Sequence, residues 1–508
     1  MGEFFNLTDF RLILPQIILC VFGLGILLTD PWLERGQKWF SGVMALTGVV
    51  FSAWTLRLLY GDLRLLSEFM AEKARHVKFT PELAGLRGSI VVDHFFIFFS
   101  ALFLAATALI ILLSLRYLEI EQEHHGEYYA LMLFATVGMM FMASGMDLVV
   151  LFMALETMAL SFYVLAGFLR GDRRSNEGAL KYLLLGAFSS GVLAYGFSIL
   201  YGLSGSTNLT VIARALAGRV AEPTAPADLL VLAAVGSVSV GMFFKIAAVP
   251  FHQWAPDVYE GAPTSVTAYL SVASKAASFA MLLRIFLTAL SPIRADWELL
   301  VVVVALATMT VGNLAALTQT NVKRMLAYSS IGHAGYILLG LIAGNETGLK
   351  GIAFYLLAYV FMNIGAFAIV ILLRRQGVIG DELEDMNGLA QRNPAAAWLM
   401  LLFLLSLAGI PPTAGFVGKY FIFLALIEAE QYVLAVIGVL YILPAVYYYL
   451  RIVQHMFLRD ITDPAEPRMS AAQVVAISAC AFVTLAACLL AEPYINFAAS
   501  SVLVPFGR

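Results

Sequence analysis

Apolar runs long enough to cross a lipid bilayer follow one another along almost the whole chain, and they restrict the fold more than any other feature. A membrane-spanning helix needs about 20 predominantly apolar residues. We count about fourteen such runs, at approximately 11–29, 39–60, 91–115, 126–145, 147–168, 178–202, 228–252, 263–290, 297–318, 325–343, 350–373, 395–426, 431–457 and 471–496. The sequence therefore predicts an all-α, multi-pass membrane protein with mostly antiparallel neighbouring helices.

The composition excludes a water-soluble enzyme. Hydrophobic residues make up 61% of the 508 positions and charged residues only 13%, whereas soluble domains carry roughly 25% charged residues. The net charge is −3 and no basic block is present, so we expect the bilayer and no nucleic acid as a partner. The three cysteines lie in apolar stretches without zinc or iron–sulfur spacing, and we expect no metal or cofactor to be bound by this chain.

Two connections are longer than the rest, at 61–90 and 203–227. The first contains LRLLSEFMAEKARHVKF, for which we expect a solvated loop in preference to a short surface helix. Neither connection is long and polar enough to form a soluble domain.

Lysine and arginine residues in short loops predict the orientation, because such residues are retained on the cytoplasmic side. The odd-numbered loops carry Arg35, Lys38, Arg116, Arg170, Arg173, Arg174, Lys323, Arg324, Arg374, Arg375, Arg392, Arg459 and Arg468. The short even-numbered loops carry Arg214, Arg219, Arg294 and Lys350. Odd loops are thus expected in the cytoplasm and both termini outside it.

Four charged residues stand near the middle of their predicted spans: Glu156, Lys245, Lys275 and Lys419. A charge at the bilayer centre costs roughly 2.5–3.5 kcal/mol on insertion scales, so each needs a partner or a hydrated path. One acid cannot neutralise three bases by pairing. The surplus indicates lysines that are hydrated, partly deprotonated, or both.

Such an imbalance suits proton exchange. Burial in general lowers the pKa of a lysine, and a nearby carboxylate raises it again, so a lysine between these states can accept and release protons. The alternative is a static ion pair with lysines that extend to the membrane surface. That alternative is weak at mid-span but remains open for Lys181 and Arg284, which lie near helix ends.

Prolines beside two of the lysines predict broken helices. Pro250 follows Lys245, and Pro411 with Pro412 precedes Lys419. Proline removes a backbone donor, and broken backbone at membrane depth is tolerated where it lines a hydrated cavity. His333 lies mid-span beside Ser329, Ser330 and Tyr336, and it suits either a proton relay or a hydrogen-bonded core position.

Three segments, KIAAVPFHQWAPDVYEGAPTSVTAYLSVASKAA, NVKRMLAYSSIGHAGY and LAGIPPTAGFVGKYFIF, resemble the antiporter-like membrane subunits of respiratory complex I. The resemblance extends from the first span to the fourteenth. It implies fourteen helices with spans four to eight and nine to thirteen as two inverted repeats, each with one broken helix. The implied division is 1–125 for the first three spans, 126–290 and 291–458 for the repeats, and 459–508 for the last span.

The resemblance also implies roles for individual residues. Glu156 matches the family's acid of span five, Lys245 and Lys419 match the lysines of the two broken helices, and Lys275 matches the linking lysine of span eight. Lys181 matches a further conducting lysine of span six.

The function implied by the resemblance is proton translocation in the membrane arm of an NADH–quinone oxidoreductase in the bacterial inner membrane. NADH, FMN, iron–sulfur clusters and quinone would then be bound by partner subunits. Three alternatives remain at this point: a cation/proton antiporter or membrane-bound hydrogenase subunit with the same relay, a stand-alone solute transporter, or a membrane scaffold, against which the mid-span lysines argue.

Overall fold

The computed structural model describes residues 7–73, 82–123, 125–220, 229–374, 380–462 and 467–500. Within these ranges, twelve helices are long and apolar enough to cross a membrane. They are Leu14–Trp32 (span 1), Trp39–Glu68 (span 2), His94–Glu121 (span 3), Gly126–Ser144 (span 4), Leu148–Ala166 (span 5), Arg173–Ser204 (span 6), Thr264–Ala289 (span 8), Ser291–Leu317 (span 9), Val322–Ala343 (span 10), Glu346–Leu373 (span 11), Tyr432–Leu458 (span 13) and Ala471–Leu489 (span 14).

Two shorter apolar helices, Leu229–Lys245 and Pro394–Ala408, complete the series as spans 7 and 12. Span 7 stops at Lys245, and a short helix, Trp254–Gly261, follows after a non-helical turn. Span 12 stops at Ala408 and resumes as Ala414–Glu428. The predicted all-α membrane fold with about fourteen spans and two broken helices is confirmed, while the assignment of 126–290 and 291–458 to two repeats stays a prediction.

Side-chain caps define where many spans begin. Asp147 accepts hydrogen bonds from Val149 and Val150 at the start of span 5, and Asp93 accepts one from Phe96 at the start of span 3. Asn321 and Asn345 cap spans 10 and 11 in the same way. These short polar side chains satisfy backbone donors that the first helical turn leaves free.

Spans 8, 10 and 11 form the centre of the bundle. All residues of an 18-residue window of span 8 are buried, and 94% in spans 10 and 11, against 33% in spans 1 and 13. Apolar helices that are buried on every side lie inside a bundle, whereas the outer spans present one face to lipid. Spans 9 and 10 pack closely along their length, as do spans 11 and the second half of 12.

The expectation of a solvated loop after span 2 is wrong for its first part. The span 2 helix continues as one element, Trp39–Lys73, because the segment after Tyr60 is rich in the strong helix formers Leu, Glu and Lys. The remainder of the connection, 74–81, lies outside the described residues. It leads to a small antiparallel pair of strands, Leu83–Gly85 (β1) and Ile90–Val92 (β2).

Among the described residues, further α-helices outside the spans are Leu7–Leu12, Leu209–Val220, Leu389–Arg392 and Ala491–Ser500. Arg375, one of the residues used for the orientation, falls outside the described ranges. Lys323, another of them, is only 4% exposed at the start of span 10, where it donates hydrogen bonds to the backbone oxygens of Glu260 and Ala262 at 2.7 Å.

Candidate functional site

Three of the four charged residues predicted at mid-span are fully enclosed by protein. Lys245 is 4% exposed, Lys275 2% and Lys419 3%. At this degree of burial a lysine cannot extend its ammonium group to the membrane surface. Each amino group must therefore be satisfied by polar atoms inside the bundle.

Lys245 is the last residue of the first half of span 7, at the helix break. Its Nζ lies 3.4 Å from the hydroxyl oxygen of Tyr163 on span 5. Glu156, also on span 5, lies within electrostatic range of both residues. The structure does not pair the two charges directly, because no Glu156 oxygen lies within 4.0 Å of the Lys245 Nζ, and the buried Oε1 of Glu156 has no hydrogen-bonding partner among the described residues.

Lys275 follows a π-helical turn, Leu270–Ser274, within span 8. Single π-turns inside helices shift the direction of the next side chain and are frequent at functional sites. The Lys275 Nζ donates to the backbone oxygen of Ser330 at 2.6 Å and to its hydroxyl at 2.5 Å. The amino group of span 8 is thus held by span 10.

His333 stands one turn further along span 10 and is hydrogen-bonded on both ring nitrogens. Its Nδ1 lies 2.5 Å from the Tyr355 hydroxyl, and its Nε2 lies 3.2 Å from the Tyr449 hydroxyl. The Tyr449 hydroxyl also bonds that of Ser329. An imidazole with two hydroxyl partners can receive a proton at one nitrogen and release one from the other.

Lys419, from the second half of span 12, extends back to the end of the first half. Its Nζ donates to the backbone oxygens of Leu407 at 3.2 Å and Ala408 at 2.8 Å. These carbonyls have no partner in the next helical turn because the helix is broken there. The ammonium group also lies 4.8 Å above the ring of Tyr336 on span 10, a distance typical of a cation–π contact.

Span 10 therefore connects two of the buried lysines. Three of its residues, spaced three apart, share one face of the helix: Ser330, His333 and Tyr336. Ser330 binds Lys275, and Tyr336 lies under Lys419. This face covers about 9 Å of helix length. It brings two amino groups and an imidazole, all able to exchange protons, into one row.

Lys245 is less directly connected to this row. Among the described residues, no hydrogen bond joins Lys245 to Lys275 or to any partner of Lys275. The order of transfer between these two lysines stays a prediction.

The sixth residue predicted for the site, Lys181, lies apart from the buried lysines. Its side chain is 43% exposed and forms ion pairs with Asp257 at 2.6 Å and with Glu177 at 2.9 Å. Asp257, in the short helix after span 7, also pairs with Arg324 at 2.9 Å. Burial alone would raise the pKa of Asp257, but hydrogen bonds from Lys181 and Arg324 lower it below the usual value.

Tyr336 was visible in the sequence beside His333, but three other tyrosines that contact the relay residues were not. Tyr163, Tyr355 and Tyr449 all lie within spans, whereas tyrosine in membrane proteins is enriched at the interfaces with water. A hydroxyl at membrane depth must find a partner inside the bundle, as these do. Tyrosines within the predicted spans are therefore the signal that would have identified them.

The fold and the row of buried lysines place the chain in the class of antiporter-like membrane subunits. The family model described as "NADH:quinone oxidoreductase/Mrp antiporter, TM" matches residues 145–443. NADH-quinone oxidoreductase subunit N 2 of Solibacter usitatus is 52% identical over 503 residues, which cover 98% of each chain. The chain belongs to this family, in its subunit N branch, and the resemblance seen in the sequence is confirmed.

Solved structures agree with this assignment. A chain of respiratory complex I from Thermus thermophilus with bound aureothin is 32% identical, with a TM-score of 0.77 and coverage of 96% of this chain and 99% of that one. A chain of the Mrp complex from Dietzia sp. also has a TM-score of 0.77, covering 96% of both chains. At 23% identity the second likeness concerns the fold alone.

Proposed function

We propose that this chain is a proton-translocating membrane-arm subunit of an NADH–quinone oxidoreductase, driven by quinone reduction in partner subunits. The observation that carries the proposal is the enclosure of Lys245, Lys275 and Lys419 within the bundle, the last two beside one face of span 10. Buried lysines lower the stability of a membrane protein, so we expect them to have a function. Proton transfer explains why several of them lie inside one bundle.

The relay begins at Glu156 and Lys245. When the ammonium group approaches the carboxylate, the pair stabilises the charged lysine; when they separate, the proton becomes available for transfer. A charge pair near 4 Å involves about 4 kcal/mol at an effective dielectric constant near 20. A membrane potential of 100 mV opposes each proton by about 2.3 kcal/mol, so opening and closing this pair is sufficient in magnitude.

The proton then passes from Lys245 to Lys275. From Lys275 it passes through Ser330 and His333 to Lys419. Two ammonium groups close together repel, so protonation of one favours release from the next. Lys419 sits at the break of span 12, where free carbonyls receive its ammonium group, and it is the residue from which the proton leaves. Lys181, which forms an ion pair with Asp257, is a further conducting lysine of the relay.

The same proposal covers the location of the protein, the sites of the cofactors and the division into repeats. The protein resides in the bacterial inner membrane with both termini outside the cytoplasm. NADH, FMN, the iron–sulfur clusters and quinone are bound by partner subunits, and this chain binds no cofactor. Residues 126–290 and 291–458 act as two inverted repeats, each around one broken helix.

The test is proton transport by the assembled complex in reconstituted vesicles. Lys245→Ala should leave the complex assembled, abolish most NADH-driven proton uptake and, through coupling, slow quinone reduction. Lys350→Ala is the matched control, because Lys350 lies at the start of span 11 and forms a partly exposed ion pair with Glu346. Wild-type proton uptake by Lys245→Ala would reject the proposal, and copurification without NADH- or quinone-binding subunits would favour an antiporter.

A further inference from the structure

The side chain that touches the Lys245 amino group belongs to Tyr163. The Tyr163 hydroxyl, 3.4 Å away, makes the only side-chain hydrogen bond to this amino group among the described residues. The ammonium group also lies 5.6 Å from the centre of the Tyr163 ring. Tyr163 itself is 6% exposed, so both groups are inside the bundle.

Packing fixes the direction of the Tyr163 ring. It meets the ring of Tyr182 edge-on at 4.7 Å, and Tyr182 stacks on Trp254 at 4.5 Å. The indole nitrogen of Trp254 donates at 3.0 Å to the backbone oxygen of Phe244, the residue before Lys245. The aromatic contacts therefore connect Tyr163 to the backbone at the helix break that carries the lysine.

A glycine on span 6 makes room for the hydroxyl group. A Cβ atom at Gly186 would lie 2.1 Å from the Tyr163 hydroxyl oxygen, which no real side chain permits. Gly186 has an ordinary helical position, so backbone conformation does not require glycine there. The space is needed for the hydroxyl itself.

Glu156 and Tyr163 lie on the same side of span 5, because seven residues are close to two full turns. About 10 Å of helix separates their Cα atoms. The Glu156 carboxylate, whose buried Oε1 has no partner among the described residues, and the Tyr163 hydroxyl thus lie along one line of span 5. The hydroxyl contacts the Lys245 amino group, and the carboxylate interacts with it electrostatically.

We propose that Tyr163 is a positioning residue of the proton switch, whose hydroxyl holds the Lys245 amino group while that group is separated from Glu156. This inference rests on the proposed function. The amino group alternates between two oxygen partners on span 5: the Glu156 carboxylate in the closed state and the Tyr163 hydroxyl in the open state. Without the hydroxyl, the open state leaves a buried amino group without a side-chain partner, and opening becomes unfavourable.

Removal of the hydroxyl is the first test, in the full complex reconstituted in vesicles. Tyr163→Phe keeps the ring contacts and should lower NADH-driven proton uptake about 10-fold, the effect expected for one hydrogen bond to a charged group. Tyr195→Phe, the same change on the exposed side of span 6 (64% exposed), should leave the rate unchanged. Wild-type uptake by Tyr163→Phe would overturn the inference.

A hydroxyl supplied from another residue separates positioning from simple packing. In a Tyr163→Leu background, Gly186→Ser places a hydroxyl near the position that the tyrosine oxygen vacates, since the added Cβ lies 2.1 Å from that position. Gly186→Ala in the same background adds the carbon without the hydroxyl. Positioning by the hydroxyl predicts several-fold faster uptake for the serine double variant, whereas equal rates would show that the ring only fills space.

Lys245→Ala is measured alongside these variants. If Lys245→Ala pumps normally, the proposed function fails together with this inference. If Lys245→Ala is inactive while Tyr163→Phe is normal, the relay stands and the role of Tyr163 alone is rejected.

Discussion

At the scale of single residues, the three buried amino groups of the relay are held by different combinations of hydroxyl and backbone oxygens. Lys245 has the hydroxyl of Tyr163, Lys275 has a serine hydroxyl and a backbone oxygen, and Lys419 has two backbone oxygens at a helix end. The C-terminal end of a helix carries partial negative charge, which favours a cation there. Lys275 and Lys419 each have two oxygen partners, whereas Lys245, with one long contact, is the least constrained of the three.

The position of Lys419 depends on Gly409. This glycine has a φ of +84°, and a Cβ atom there would lie 2.7 Å from Cδ of Lys419. Gly409→Ala should therefore destabilise the protein by about 1–2 kcal/mol through the left-handed backbone and should also displace the lysine and slow proton uptake.

Thermal unfolding and vesicle proton uptake of purified complexes measure the two effects. Gly191→Ala is the matched control, because at this helical glycine a Cβ would have no described atom within 4 Å outside the local helix backbone. Unchanged uptake by Gly409→Ala would show that Lys419 does not need its contact with the end of the first half-helix.

At the scale of elements, the short helix Trp254–Gly261 is attached to two spans by ion pairs. Asp257 forms ion pairs with Lys181 of span 6 and with Arg324 of span 10, and Glu260 forms a second ion pair with Arg324 at 2.8 Å. Lys323 donates to the backbone oxygen of Glu260. The segment that follows the break at Lys245 is therefore held to both spans 6 and 10.

Asp257→Asn should weaken this attachment by an amount on the order of 1 kcal/mol, since the ion pairs are partly exposed. The paired carboxylate has a pKa below its usual value of 3.8, so its stabilisation is present above that pH and is lost as the pH falls through the lower pKa of the folded state. The difference in unfolding temperature between the wild type and Asp257→Asn should be constant from about pH 5 to 8 and shrink below about pH 4. A difference in unfolding temperature that shrinks already near neutral pH would contradict the assignment to Asp257. The control is Glu177→Gln, which removes a more exposed ion pair of Lys181 and should change the unfolding temperature less.

At the scale of the whole molecule, the spans were predictable because each apolar run is long enough to cross the bilayer, as for Leu148–Ala166. The continuation of span 2 to Lys73 was not, since hydropathy does not register a charged segment of high helix propensity. The four mid-span charges were visible from their position alone. Their partners were not, because Tyr163 is 82 residues from Lys245 and Ser330 is 55 residues from Lys275.

The orientation of the whole chain is open to a direct test. The bias of lysine and arginine toward odd-numbered loops predicts that both termini lie outside the cytoplasm. Alkaline phosphatase fused after Arg508 should be active, and the same enzyme fused after Arg459, in the loop between spans 13 and 14, should be inactive. The opposite pattern would reverse the topology.

The central claim, that Lys245 must release its proton in each cycle, is tested most directly by Lys245→Arg. Arginine keeps the positive charge but holds its proton at any accessible pH. NADH-driven proton uptake and quinone reduction are measured in vesicles with equal amounts of assembled complex, beside Lys350→Arg as the surface control. If Lys245 releases its proton in each cycle, proton uptake should be strongly impaired for Lys245→Arg and normal for the control. Uptake at the wild-type rate by Lys245→Arg would show that this release is not required.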